Sequence, residues 1–162
     1  MEELLKKISS YNLFNYLFPG ILFSVFVDNY TKYTLRHDDI FTSLFIFYFV
    51  GLVISRFGSL FIEPAFIKLR LIQYAGYKEF LSAEKEDKKI GVLLEQNNVY
   101  RTICSMLVLM FIVIGYEKLS IWLEISIIST KHMFGIVLLV MFVFSYRKQT
   151  RYIKSRIERN KK

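Results

Sequence analysis

In 162 residues cysteine and tryptophan occur once each, and proline and histidine twice each. The lone Cys104 excludes an intrachain disulfide, and its place in the apolar run TICSMLVLMF suits a small packing residue. His37 and His132 stand at segment ends, with no second ligand at metal spacing. No H-E-x-x-H, G-x-S-x-G or G-x-x-x-x-G-K stretch occurs. A carboxylate, histidine and serine constellation that could replace them is also missing. Neither enzymatic chemistry nor a cofactor or metal is therefore expected.

What fills the chain is apolar. Hydrophobic residues make up 54% and aromatic residues 17%, with a mean hydropathy of +0.35. A soluble chain this short could not bury so many large side chains in one core. The apolar residues come in four blocks, which predict membrane spans at about 11–28, 40–62, 99–119 and 127–147. The N-terminal stretch MEELLKKISSYNLFNYLFPG mixes acid and base and has no small-x-small cleavage pattern, so it reads as a retained first helix. The first and fourth blocks are short and need Lys7, Lys131 and Arg147 to snorkel, or local thinning of the bilayer. Between the third and fourth blocks, LSIWLEISIIST is apolar but broken by Glu124.

The net charge of +8 comes almost wholly from one end: residues 147–162 hold eight Lys/Arg and one Asp/Glu, leaving fourteen and thirteen elsewhere. A basic tail after an apolar block reads as an anchor at anionic head groups, and no nucleic-acid-binding pattern accompanies it. The stretch from Arg56 to Arg101 holds another eight Lys/Arg. Two basic regions flanking an even number of spans put both termini and the central segment, about 64–98, on the cytoplasmic side. That segment has helical apolar spacing interrupted by AEKEDKK, which predicts a hairpin of two helical arms with a charged turn.

Polar residues inside the blocks carry the functional signal. On a helical wheel Gly51, Ser55, Gly58 and Ser59 form a ladder of small residues. Such ladders mark close helix packing or oligomerisation. Arg56 and Glu63 fall beside it, nearly in register but about 10 Å apart along the axis, so each is expected to pair with another helix or subunit. The plainer alternative is a snorkelling anchor and a helix-end carboxylate. In the first block Asn12, Asn15, Tyr16 and Pro19 share one face. Pro19–Gly20 predicts a kinked or broken helix, serving either packing or a gating hinge. The stretch EQNNVYRT brings Asn97, Asn98 and Arg101 to the level of Arg56 and Glu63, with Arg101 opposite Glu63 as the favoured pair.

The segments LFNYLFPGILF, SRFGSLFIEPAF and NNVYRT resemble parts of small four-span bacterial membrane proteins that accompany antiviral defence genes. The resemblance covers the first two-thirds of the chain. It implies an effector that perturbs the inner membrane when a partner senses phage. Its carry-over falls on Asn15, Pro19, Gly20, Arg56, Gly58, Glu63, Asn97, Asn98 and Arg101.

The sequence therefore predicts an all-α, integral-membrane four-helix bundle with a cytoplasmic helical hairpin between helices two and three. Expected partners are the lipid bilayer, further copies of the chain and a cytoplasmic protein. Asn97, Asn98, Arg147, Lys148, Arg151 and Lys154 are the candidate docking residues. Asn12, Asn15, Arg56, Glu63 and Arg101 are the candidate intramembrane gating residues. A membrane scaffold that tethers a soluble partner, and a small transporter subunit, are the competing readings.

Overall fold

The computed structural model describes residues 12–160, and every regular element among them is helical. Lys7, Tyr11 (the expected start of the first span) and the last two lysines lie outside the described residues. The chain divides into two compact units, Met1–Glu117 and Lys118–Lys162.

In the first unit, helix α1 (Phe18–Tyr30) continues directly from a π-helical turn, Leu13–Leu17. Helix α2 (Ile40–Phe57) runs through a second π-helical turn, Gly58–Ile62, into the short α3 (Glu63–Lys68). Both turns stand in the same place relative to a proline. The Phe18 amide donates to the Leu13 carbonyl just before Pro19, and the Glu63 amide donates to the Gly58 carbonyl just before Pro64. Proline offers no amide to the carbonyl four residues back, and its ring crowds that oxygen. Widening the preceding turn to an i→i−5 pattern relieves both problems. Of the kink or break expected at Pro19–Gly20, the break does not occur: helix continues through both residues, and the distortion is taken up one turn earlier.

The second π-turn also moves Glu63. One extra residue in a turn sets everything after it back by about 100° relative to a regular helix. Glu63 leaves the edge of the small-residue face, where regular spacing put it, and comes round to the side of Gly58.

Asp39 caps α2. Its carboxylate accepts from the Thr42 amide and the Thr42 hydroxyl, both at 2.7 Å. These bonds, the hydroxyl's first, hold the Asp39 carboxyl below its ordinary range. The segment from Thr31 to this cap is held by side chains: Asp28 accepts the Leu35 amide at 2.9 Å, and Ser43 accepts the His37 amide at 2.9 Å.

After α3 the chain turns at Arg70, whose φ of 59° is left-handed. The Leu71 amide there closes on the Phe66 carbonyl at 2.9 Å. A linker, 69–76, leads to α4 (Tyr77–Glu86) and then to α5 (Lys89–Trp122). The turn falls inside the charge cluster but takes up only part of it. Ala83 to Glu86 finish α4, and the break is confined to Asp87 and Lys88, with Asp87 accepting the Lys89 amide at 2.8 Å. The 69–76 linker separates α4 from the helix that α2 and α3 form together.

The apolar core of this unit joins Phe23 and Val27 of α1, Ile54 of α2 and Met106 of α5, with Val50, Leu109, Met110 and Val113 packed around them. The seam between α1 and α2 is tighter than side chains allow. A β-carbon on Gly20 would overlap the Phe47 carbonyl oxygen, and one on Gly51 would overlap the Tyr16 carbonyl oxygen. Each helix thus gives up a side chain where the other presents backbone.

In the second unit the chain turns at Glu124 (φ 52°), with the Ile125 amide donating to the Ser120 carbonyl at 2.9 Å. Helix α6 (Ile127–Asn160) follows. LSIWLEISIIST is thus shared between the end of α5, the turn and the start of α6. The basic stretch from Arg147 is no separate tail, since α6 continues through it to Asn160. Among the described residues three helices are long and apolar enough to cross a membrane: Ile40–Lys68, Lys89–Trp122 and Ile127–Glu158. The first helix, expected as a fourth span, is not among them.

Candidate functional site: a buried polar layer and its ion pair

Three helices meet at a small polar layer. The first π-turn presents Asn15, α2 presents Ser55, and α5 presents Thr102; they are 1%, 4% and 0% exposed. The Thr102 hydroxyl stands 2.8 Å from Asn15 Oδ1 and 2.9 Å from the Asn98 carbonyl. Ser55 Oγ lies 3.3 Å from Thr102 Oγ1 and 3.5 Å from Asn15 Nδ2. Thr102 has one proton, so it serves one acceptor at a time. The layer is thus a set of exchangeable hydrogen bonds. Inter-helix bonds of this kind are worth about 1 kcal/mol each in a membrane. Substituting Thr102 with valine should strip the Asn15 carbonyl of its short partner. The bundle should then lose about 1 kcal/mol of resistance to unfolding in mixed detergent, and Thr102→Ser should keep it.

Next to this layer lies a charged pair. Arg101 Nη1 stands 2.6 Å from Glu63 Oε2, with side chains 19% and 15% exposed. This is the pairing the sequence favoured. Gly58 makes room for it: a β-carbon there would overlap Ser105 Oγ and come within 3.3 Å of Arg101 Cγ. Ser105 in turn donates to the Arg101 carbonyl at 2.6 Å. Arg101 Nε is buried and has no hydrogen-bond partner, so the guanidinium is satisfied on one edge. The linker returns to the same end of α5, where Asn97 Nδ2 donates to the Tyr74 hydroxyl at 3.1 Å.

The small-residue ladder is half as expected. Gly51 and Ser55 are buried against α1, and Gly58 against α5, so the face does pack helices. Helices of the same chain thus occupy the part of the face that Gly51, Ser55 and Gly58 form. Ser59 is half-buried on the adjoining side. Pro19 and Gly20 are buried packing residues in the α1–α2 seam.

Other expected residues lie apart from the cluster. Asn12 is half-buried and its side chain caps nothing. Arg56 takes no ion-pair partner among the described residues. Asn98 contributes its carbonyl to Thr102. In the second unit Arg147, Arg151 and Lys154 are exposed; Lys154 lies 3.7 Å from Glu158, and Lys148 sits 5.9 Å from the Tyr152 ring.

Thr102 and Ser105 escaped the sequence reading. Their signal was present: Asn98, Thr102 and Ser105 are spaced four and three apart, a polar stripe entering an otherwise apolar helix. Among the described residues no group of His, Cys, Asp and Glu could hold a metal ion. No family model, curated protein or solved structure matches the chain.

Proposed function

We propose that the chain is a non-enzymatic membrane effector that compromises a bacterial cytoplasmic membrane on a cue from a cytoplasmic partner, in the antiviral setting its sequence resemblance implies. On this reading α1, α2, α5 and α6 are four spans. Both termini and the 64–98 segment face the cytoplasm, where the Lys and Arg are concentrated.

The observation that carries the proposal is the half-buried Glu63–Arg101 pair beside a buried polar layer. Ion pairs removed from water add little stability over apolar packing. Ionisable groups within membrane segments are by default functional. Here the pair ties α3 to α5, and the linker reaches both partners. It begins one residue after α3 ends at Lys68, and it is bonded through Tyr74 to Asn97, one turn before Arg101. A partner that pulls on the linker therefore acts on both halves of the pair. Opening it would part α2 from α5 and expose Asn15, Ser55 and Thr102 to lipid and water. Assembly of several copies would then use surfaces other than the small-residue ladder.

A second reading is favoured by the close seam of Gly20 and Gly51, which makes a rigid bundle. In that reading the chain is a scaffold that holds a soluble partner at the membrane through the linker and the basic part of α6.

The deciding experiment expresses the chain in bacteria with and without its neighbouring genes, following membrane potential and the entry of an excluded dye. Depolarisation on the cue is expected. An intact potential throughout, with a soluble partner co-purifying, would replace the effector with the scaffold.

A further inference from the structure

The charge-free part of α5 is short, and both of its ends are fixed. No residue between Arg101 and Glu117 carries a charge. Their positions differ by sixteen (117 minus 101), which is about 24 Å along a helix. An ordinary hydrocarbon core is about 30 Å thick. A short span can let its flanking charges reach outward, or it can thin the bilayer around it. In α5 the first route is closed at both ends. Arg101 is held by Glu63 at 2.6 Å, and Glu117 Oε1 accepts the backbone amide of Lys32 at 2.6 Å. Tilting the helix would shorten its reach across the membrane still further. Helix α2 is fixed at one end alone, where Asp39 is tied to Thr42; Arg56, seventeen positions later (56 minus 39) and about 26 Å away, makes no ion pair among the described residues and can reach outward.

We propose that the protein prefers, and imposes, a bilayer thinner than an ordinary one. The lipid annulus around α5 is then an interaction surface that selects short-acyl-chain phospholipid. This rests on reading α5 as membrane-spanning. It deepens the effector reading, because a ring of thinned lipid is where a barrier fails first.

The single tryptophan, Trp122, is exposed at the end of α5 and reports on neighbouring lipid. The full-length protein would be placed in brominated dioleoylphosphatidylcholine vesicles. Relief of Trp122 quenching would then be followed as dimyristoleoyl-, dioleoyl- or dierucoylphosphatidylcholine replaces the brominated lipid. Dimyristoleoylphosphatidylcholine should compete severalfold better than the longer chains; equal competition, or preference for a longer chain, would overturn the proposal.

The variant Glu63→Leu with Arg101→Leu moves the nearest charge on that side of α5 to Glu95, twenty-two positions from Glu117 (117 minus 95), about 33 Å. Its preference should shift toward dioleoyl lipid, and an unshifted preference would refute the role of the fixed pair. X-ray scattering from dioleoyl bilayers carrying the wild-type chain needs no variant. It should show a thinner membrane than lipid alone, and unchanged thickness counts against the proposal. Lipid selection without depolarisation in cells would remove the effector reading and leave this one; depolarisation without lipid selection would do the reverse.

Discussion

Replacing Glu63 with glutamine should destabilise the bundle by about 3 kcal/mol and make the membrane leak without its cue. The argument starts from the arginine. Arg101 is 19% exposed, and Glu63 is the carboxylate at its Nη1. Its Nε already lacks a partner. Removing the carboxylate leaves a guanidinium with little water and no counter-charge, which costs more than the intact pair contributes. Arg101→Gln should also destabilise, since it leaves a lone, partly buried carboxylate near the C-terminal end of the continuous Ile40–Lys68 helix. The exchange Glu63→Arg with Arg101→Glu should recover much of the loss if the pairing itself matters. Two measurements separate the effects: unfolding in mixed detergent for stability, and membrane potential in cells for leakage. A destabilised variant that never leaks would confine the pair to a structural role.

That pair was legible in the sequence because charges in an apolar block must find partners, and the antiparallel level of Arg101 and Glu63 left few choices. The existence of helices in the apolar blocks was legible for a similar reason: long uncharged runs have few other solutions. Three features were not. The π-turns before Pro19 and Pro64 escaped because a wheel drawn at a fixed angle assumes every turn is alike. The same assumption put Glu63 beside Arg56, whereas the widened turn carries it toward α5. The partner of the small-residue ladder was also hidden. Glycine and serine at spacing four show that something approaches closely, but not whether it is a copy or the chain's own α1. Finally, the basic residues after Arg147 looked like a tail because charge ends an apolar block, yet charge does not end a helix.

The glycines of the α1–α2 seam give the largest expected packing effect. Gly51→Ala should cost about 3 kcal/mol or more, at the upper end of what overpacking does. The added methyl would collide with the Tyr16 carbonyl oxygen and crowd the Tyr16 Cα at 2.9 Å. These are backbone atoms, which cannot rotate aside as a long side chain can. Relief therefore requires α1 to move away from α2. That movement would also draw Asn15 from Ser55 and Thr102, so the loss includes part of the polar layer. Gly20→Ala should behave alike, because its methyl would meet the Phe47 carbonyl from the opposite helix. Two glycines of α5 provide the contrast. At Gly91 and Gly115 an added β-carbon meets nothing within 4 Å. Alanine there should be neutral or stabilising by up to about 1 kcal/mol, through reduced backbone freedom in the unfolded chain. Unfolding of all four variants in mixed detergent, compared with the parent, tests the packing directly. Equal tolerance at Gly51 and Gly115 would mean that the backbone contact between α1 and α2 does not hold the bundle. A loss at Gly51 and Gly20 alone would place the main mechanical constraint of the fold in that seam, next to the polar layer that the proposed opening must expose.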